Sequence, residues 1–140
     1  MTIEDTISID APTDDVWRVT ADVDRWPEWA PTVTAVRRLD RGPFGLGSRT
    51  RIKQPGQPEA TWTVTDVAAG ERFTWETARP GLRMRATHEL VPEGGGTRNT
   101  LRLEATGVLA PLLALVLQPL VRRALADENR GLKARCEAAP

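Results

Sequence analysis

Apolar and polar positions alternate in twos over most of this chain, and a helical spacing replaces that alternation only in a short early segment and a long final one. Ile3, Ile7 and Ile9 share one parity with Asp5, while Glu4, Thr6 and Ser8 take the other. That is the pattern of a half-buried strand. Ala11-Pro12 ends it, with Asp10 or Thr13 placed to cap a short helix that carries Val16, Trp17 and Val19. In Trp26-Pro27-Glu28-Trp29-Ala30-Pro31 two prolines exclude a long helix, but Pro27 suits the start of a short helical turn.

Six more strands are expected over residues 32–39, 48–53, 60–68, 71–77, 82–91 and 97–106, separated by turn residues such as Ala69-Gly70, Arg79-Pro80-Gly81 and Gly94-Gly95-Gly96. The connections are too short for crossover helices, so these strands should run as an antiparallel meander. Trp62, Val64, Phe73, Trp75, Leu82, Met84, Ala86, His88, Leu90, Leu101, Leu103 and Ala105 lie on one parity; Thr61, Thr63, Arg72, Thr74, Glu76, Arg83, Arg85, Glu89, Arg102 and Glu104 lie on the other. One face is wet and the other needs a cover. The cover is a helix of about 27 residues and roughly 40 Å starting near Leu109, with Leu117, Val121, Leu125, Leu132 and Cys136 inward and Arg122, Arg123, Asp127, Glu128 and Arg130 outward. Pro119 should bend it. Its opening run from Leu109 to Val121 is more apolar than one buried face requires and shorter than a membrane span. It is a candidate seam for a dimer, a protein partner or transient membrane contact.

The chain has 140 residues, 19 basic and 19 acidic, for zero formal charge. This length predicts one domain over residues 1–140, and the balance removes the broad electrostatic case for nucleic-acid binding. The charge is unevenly spread, about −6 over residues 1–30 and +5 over residues 31–58. Arg37, Arg38, Arg41, Arg49, Arg51 and Lys53 form either a basic rim or the solvated side of two strands. One Cys and one His supply no disulfide and no standard zinc cluster, so no metal or cofactor is expected. MTIEDTISID lacks the n-region and h-region of a secretory leader, so the cytoplasm is the expected compartment. Five Trp, two Phe and no Tyr mean that indoles supply most of the bulky apolar surface and that no phenol serves as a proton donor.

His88 is the leading polar candidate, since its parity places it between Ala86 and Leu90 on the covered face and imidazole can act as acid or base. Asp5 on the first strand and Asn129 on the long helix are its candidate helpers, and the alternative is a structural histidine held within the sheet. Cys136 reads as a packing thiol. The stretch Gly42-Pro43-Phe44-Gly45-Leu46-Gly47 lacks the Lys-Ser/Thr ending of a phosphate loop and reads as a turn.

The motifs Ile7-Ser8-Ile9-Asp10-Ala11-Pro12, Asp15-Val16-Trp17 and Asp22 through Pro31, followed by Trp62-Thr63-Val64-Thr65 and Gly70-Glu71-Arg72-Phe73-Thr74-Trp75, resemble those of the START-like (SRPBCC) superfamily. This is the polyketide cyclase/dehydrase and lipid-transport group, related in fold to birch-pollen-type allergens. The resemblance implies an α+β helix-grip fold, with a seven-stranded curved antiparallel sheet wrapped around a long C-terminal helix and two short helices after strand 1. It also implies an elongated internal cavity. The wall would comprise Trp62, Phe73, Trp75, Met84, Ala86, His88, Leu101, Leu103, Leu117, Val121 and Leu125, with Trp26 and Trp29 near one mouth and Phe44 and Leu46 at the entrance. The implied partner is a small hydrophobic molecule bound, or bound and carried, by a monomer or homodimer. The alternatives are a cyclase or dehydratase using His88 with Asp5 or Asn129, and a module that docks through the apolar start of the long helix.

Overall fold

The computed structural model describes residues 1–138. Strand β1 (Thr2–Ile9) leads into helix α1 (Thr13–Ala21) and a 3-10 helix over Val23–Glu28. Then come β2 (Ala35–Arg38), β3 (Arg49–Lys53), β4 (Ala60–Ala68), β5 (Arg72–Arg79), β6 (Leu82–Glu93), β7 (Gly96–Thr106) and helix α2 (Ala110–Glu137). The strands form one antiparallel sheet in the order β1-β7-β6-β5-β4-β3-β2. Six of them follow one another as a meander, and β1 joins by pairing with β7, Asp5 opposite Leu101. The architecture is therefore α+β, a seven-stranded antiparallel sheet wrapping a long C-terminal helix, with two short helices after strand 1.

Turn chemistry sets the register. Between β6 and β7, Gly94 and Gly95 both take positive φ, +55° and +86°, as a two-residue type I′ hairpin loop requires. A bulge between Val64 and Asp66 shifts the β4–β5 pairing, so that Val67 follows Val64 on the inner face opposite Phe73 and the sheet bends more sharply.

Three local expectations change. Neither Asp10 nor Thr13 caps α1; Pro12 holds the N-cap position without a side-chain bond, and the Thr13 hydroxyl pairs with that of Thr97 at 3.1 Å. The second strand is confined to Ala35–Arg38, because Val33 turns back to bond the Ala30 carbonyl at 3.1 Å and is buried in the core. Thr74, placed on the wet parity, is buried and shares a 3.0 Å hydroxyl contact with Thr87. The pair occupies the middle of a cross-strand row, with the Asp66 and Arg102 positions on either side.

Helix α2 covers only part of the inner face. Its close neighbours are β1, β7 and α1, and its buried residues beyond the first turn are Asn129 and Leu132. The Asn129 amide donates to the Asp5 carboxylate at 2.8 Å and the Asp5 carbonyl at 3.0 Å, and its oxygen accepts from Asn99 at 2.7 Å. This buried network bolts the C-terminal half of α2 to β1 and β7, because each member left alone would be an unsatisfied polar group. Gly131 lets the helix close on the Trp-rich corner, where an added Cβ would collide with the Trp29 carbonyl oxygen.

Candidate ligand-binding cavity

With α2 anchored at its C-terminal half, its N-terminal half and the inner sheet face enclose a cavity of about 590 Å³, within the range that holds a drug-sized molecule. The sheet side presents Ile52, Trp62, Trp75, Met84, Ala86, His88, Leu101 and Leu103; the helix side presents Leu113, Leu117, Leu120, Val121, Ala124, Leu125 and Glu128. The loop from Gln54 to Gln57 and Arg79 border it where the protein meets solvent. Trp26 closes the other end. It is 2% exposed, its indole N–H donates to the Thr20 carbonyl at 3.0 Å, and its ring lies 5.2 Å from Trp75 and 5.3 Å from His88.

His88 sits in this wall with its imidazole stacked on Phe73, the centroids 4.4 Å apart and the planes 13° from parallel. Among the described residues neither ring nitrogen has a protein hydrogen-bond partner. Burial pushes its pKa down to about 3, since nothing nearby offsets the loss of solvation in the charged form. The imidazole is therefore neutral at physiological pH. Glu128 shows the converse effect. Its carboxyl faces the cavity with no ion-pair partner among the described residues, and burial pushes its pKa up to about 7. The deep wall thus carries two titratable groups, both favoured in their uncharged forms.

Glu128 is the cavity-lining residue that sequence reasoning misplaced, on the solvent side of α2. The signal was present in the spacing, since Glu128 lies three residues after Leu125 and four before Leu132. Those offsets place it on the same helix face.

Residues 1–137 match the family described as polyketide cyclase / dehydrase and lipid transport. The chain belongs to this family. Solved structures of the same fold include the Zhui aromatase/cyclase from Streptomyces sp. R1128, 19% identical with a TM-score of 0.80 over 98% of this chain and 93% of that one. Protein TTHA0849 from Thermus thermophilus is 22% identical, with a TM-score of 0.77 over 97% of each chain. A START superfamily protein from Mycobacterium smegmatis is 19% identical, with a TM-score of 0.76 over 97% of each chain. At these identities the likeness shows the fold. Comparison with curated proteins finds no match.

In this START-like protein several candidate residues lie away from the cavity. Phe73 is fully buried and does not line it, because Trp17, Trp26 and Phe44 pack around its ring at centroid distances of 6.4, 6.4 and 5.1 Å. Phe44 is consequently a core contact of Phe73 and Trp75 rather than an entrance residue, with the Arg38 guanidinium 5.9 Å from its ring. Leu46 is 71% exposed in the adjoining loop and is not part of the wall. Trp29 lines a separate open cleft with Asp127, Arg130 and Gly131, and Trp26 seals the closed end instead of flanking a mouth.

The proposed helpers of His88 are also elsewhere. Asp5 and His88 both pair with Leu101, from opposite sides, so two strand spacings, about 10 Å, separate their backbones. The Asp5 carboxylate and the Asn129 amide are engaged with each other, and among the described residues no hydrogen bond joins either to His88. Cys136 is half-buried against Ile9, Val16 and Leu132, and burial raises its thiol to about 11, which suits packing rather than reaction. The cavity is suited to a small hydrophobic ligand.

Proposed function

We propose that the protein binds, without chemical conversion, one small and mainly apolar molecule that carries an uncharged hydrogen-bonding group, and that it carries this molecule between sites. The observation that supports this most directly is the pairing of a 590 Å³ apolar cavity with two wall groups whose charged forms burial disfavours. Apolar area buried against Trp62, Trp75 and the α2 leucines provides affinity at roughly 25 cal/mol per Å². A hydroxyl or carbonyl on the ligand meets the protonated Glu128 or the neutral His88, which fixes its orientation. A carboxylate head is disfavoured there, because the deep wall offers no cation to meet it. Arg102 borders the space, but its guanidinium donates to Glu4 at 2.9 Å.

A second reading rests on Glu128. A carboxyl with a pKa of about 7 both holds and releases a proton near neutrality, so any proton transfer on a bound ligand falls to Glu128. His88, at about 3, carries no imidazolium proton near neutrality and is too weak a base to take one, so its neutral ring only hydrogen-bonds. The two readings part on turnover. Native mass spectrometry of freshly purified protein, followed by solvent extraction, should return an unmodified apolar compound at one per chain. A cavity that is empty and refuses added apolar compounds removes both readings. A bound compound that is consumed by the wild type but not by Glu128→Gln favours the enzyme.

A further inference from the structure

The two halves of α2 turn different chemistry outward. Leu112, Val116, Pro119 and Arg123 follow at offsets of four, three and four, which aligns them in one stripe on the helix. Leu112, Leu115, Val116 and Leu120 are 59%, 82%, 60% and 64% exposed, and Val108 just before the helix is 84% exposed. The opposite side of the same turns, Leu113, Leu117 and Val121, lines the cavity. Apart from Gln118, this half of the helix is therefore apolar all round, a composition that calls for cover on both sides. Beyond Val121 the outward face is charged and largely paired, as in Lys133–Glu137 and Arg135–Glu28 at 2.6 and 2.7 Å.

Along α2 itself the charges bordering the apolar half are of one sign. No carboxylate occurs in sequence between Glu104 and Asp127, and Arg122 and Arg123 have no ion-pair partner among the described residues. The β5–β6 hairpin is held against the helix start by the Leu109 N–H, which bonds the Gly81 carbonyl at 2.9 Å. Arg79 and Arg83 flank that turn; Arg83 is paired with Glu76 at 3.5 Å, and Arg79 has no ion-pair partner among the described residues.

We propose that this surface docks on a lipid bilayer containing anionic lipid. Leu112, Leu115, Val116 and Leu120 enter the acyl boundary while Arg122, Arg123 and Arg79 sit among the headgroups. An apolar helix face bordered by arginines matches the surface of such a bilayer in both area type and charge. A second copy of the chain matches it poorly. A two-fold seam places a patch against itself, and here that would join arginine borders with no carboxylate between them. Leu117 and Leu120 belong to both the cavity wall and the exposed surface, so docking also opens a path from the bilayer to the cavity. That consequence rests on the ligand-binding reading, but the docking itself does not.

The test is flotation of the full chain with vesicles of phosphatidylcholine alone and of equal parts phosphatidylcholine and phosphatidylglycerol. The expected result is partition onto the anionic vesicles that falls with added salt. It should also fall roughly 25-fold in Arg122→Gln/Arg123→Gln, at about 1 kcal/mol for each arginine. Leu115→Glu/Val116→Glu alters only exposed positions and should lower partition by roughly tenfold or more with its thermal midpoint preserved. The proposal is overturned by folded protein that floats with neither composition, by equal partition onto both, or by apolar-face variants that bind as well as the wild type. A wild-type dimer that Leu115→Glu/Val116→Glu converts to monomer would assign the face to a second copy instead.

Discussion

Replacing Glu128 with glutamine should make the protein more stable at alkaline pH and leave it nearly unchanged in mild acid. Burial raises the native carboxyl from 4.5 to about 7, so between those values the native state keeps a proton that the unfolded chain has released. A group shifted in that direction contributes fully to stability below pH 4.5 and loses its contribution as pH rises through about 7. At 1.36 kcal/mol per pH unit the loss is about 3 kcal/mol. That figure is a ceiling, since Glu128 is only half-buried and its carboxyl faces the cavity. Glutamine keeps the shape and the hydrogen-bonding capacity but cannot ionise. Urea unfolding of both proteins, followed by indole fluorescence at about pH 5 and about pH 8, should show similar free energies in acid and an advantage to the variant of up to about 3 kcal/mol in base, with unchanged m-values. His88 titrates in both proteins alike and cancels in the difference. An offset of the same size at both pH values would refute the buried, unpaired carboxyl.

His88 acts with the opposite sign. Its native pKa of about 3 against 6.5 gives stability that is present above pH 6.5 and is lost as pH falls toward 3, so His88→Phe should move the acid-unfolding midpoint to lower pH in a circular-dichroism titration, and an unmoved midpoint would contradict it. Asn129→Ala strips partners from Asp5 and Asn99 and should cost about 2–4 kcal/mol in urea unfolding; a cost under 1 kcal/mol would mean the network does not anchor α2. Gly131→Ala should destabilise by about 1–3 kcal/mol, although alanine is the better helix former, because its Cβ meets the Trp29 carbonyl. A stabilised variant would show that the helix does not press on that corner.

The sheet was legible because alternation and turn chemistry are local. Pro80-Gly81 and Gly94-Gly95 fall where the β5–β6 and β6–β7 hairpins close, and the parity of Trp62, Trp75, Met84, Ala86 and His88 follows from strand period alone. What the sequence hid depends on how far the helix stands from the sheet. Whether Phe73 or Trp75 touches the cavity is decided by Trp17, Trp26 and Phe44, which arrive from α1, the 3-10 helix and the glycine-rich loop. No pattern within β5 encodes that. Asp5, Asn129 and Asn99 lie on three elements and read as separate polar residues until the β1–β7 register and the phase of α2 bring them together. Glu128 was hidden differently, by the habit of assigning charged residues to solvent when helical spacing pointed inward.

The central claim, an internal apolar site between α2 and the sheet, is tested most directly by titrating the protein with the neutral fluorophore N-phenyl-1-naphthylamine beside the variant Ala86→Trp. Ala86 lies on the cavity floor between Met84 and His88 in the inner row of β6, so an indole there occupies the space without touching the outward face of α2. The predicted result is saturable one-to-one binding with strong emission by the wild type, lost in a variant that keeps its circular dichroism and a cooperative thermal transition. Binding of equal strength by both proteins, or by neither, would contradict the site.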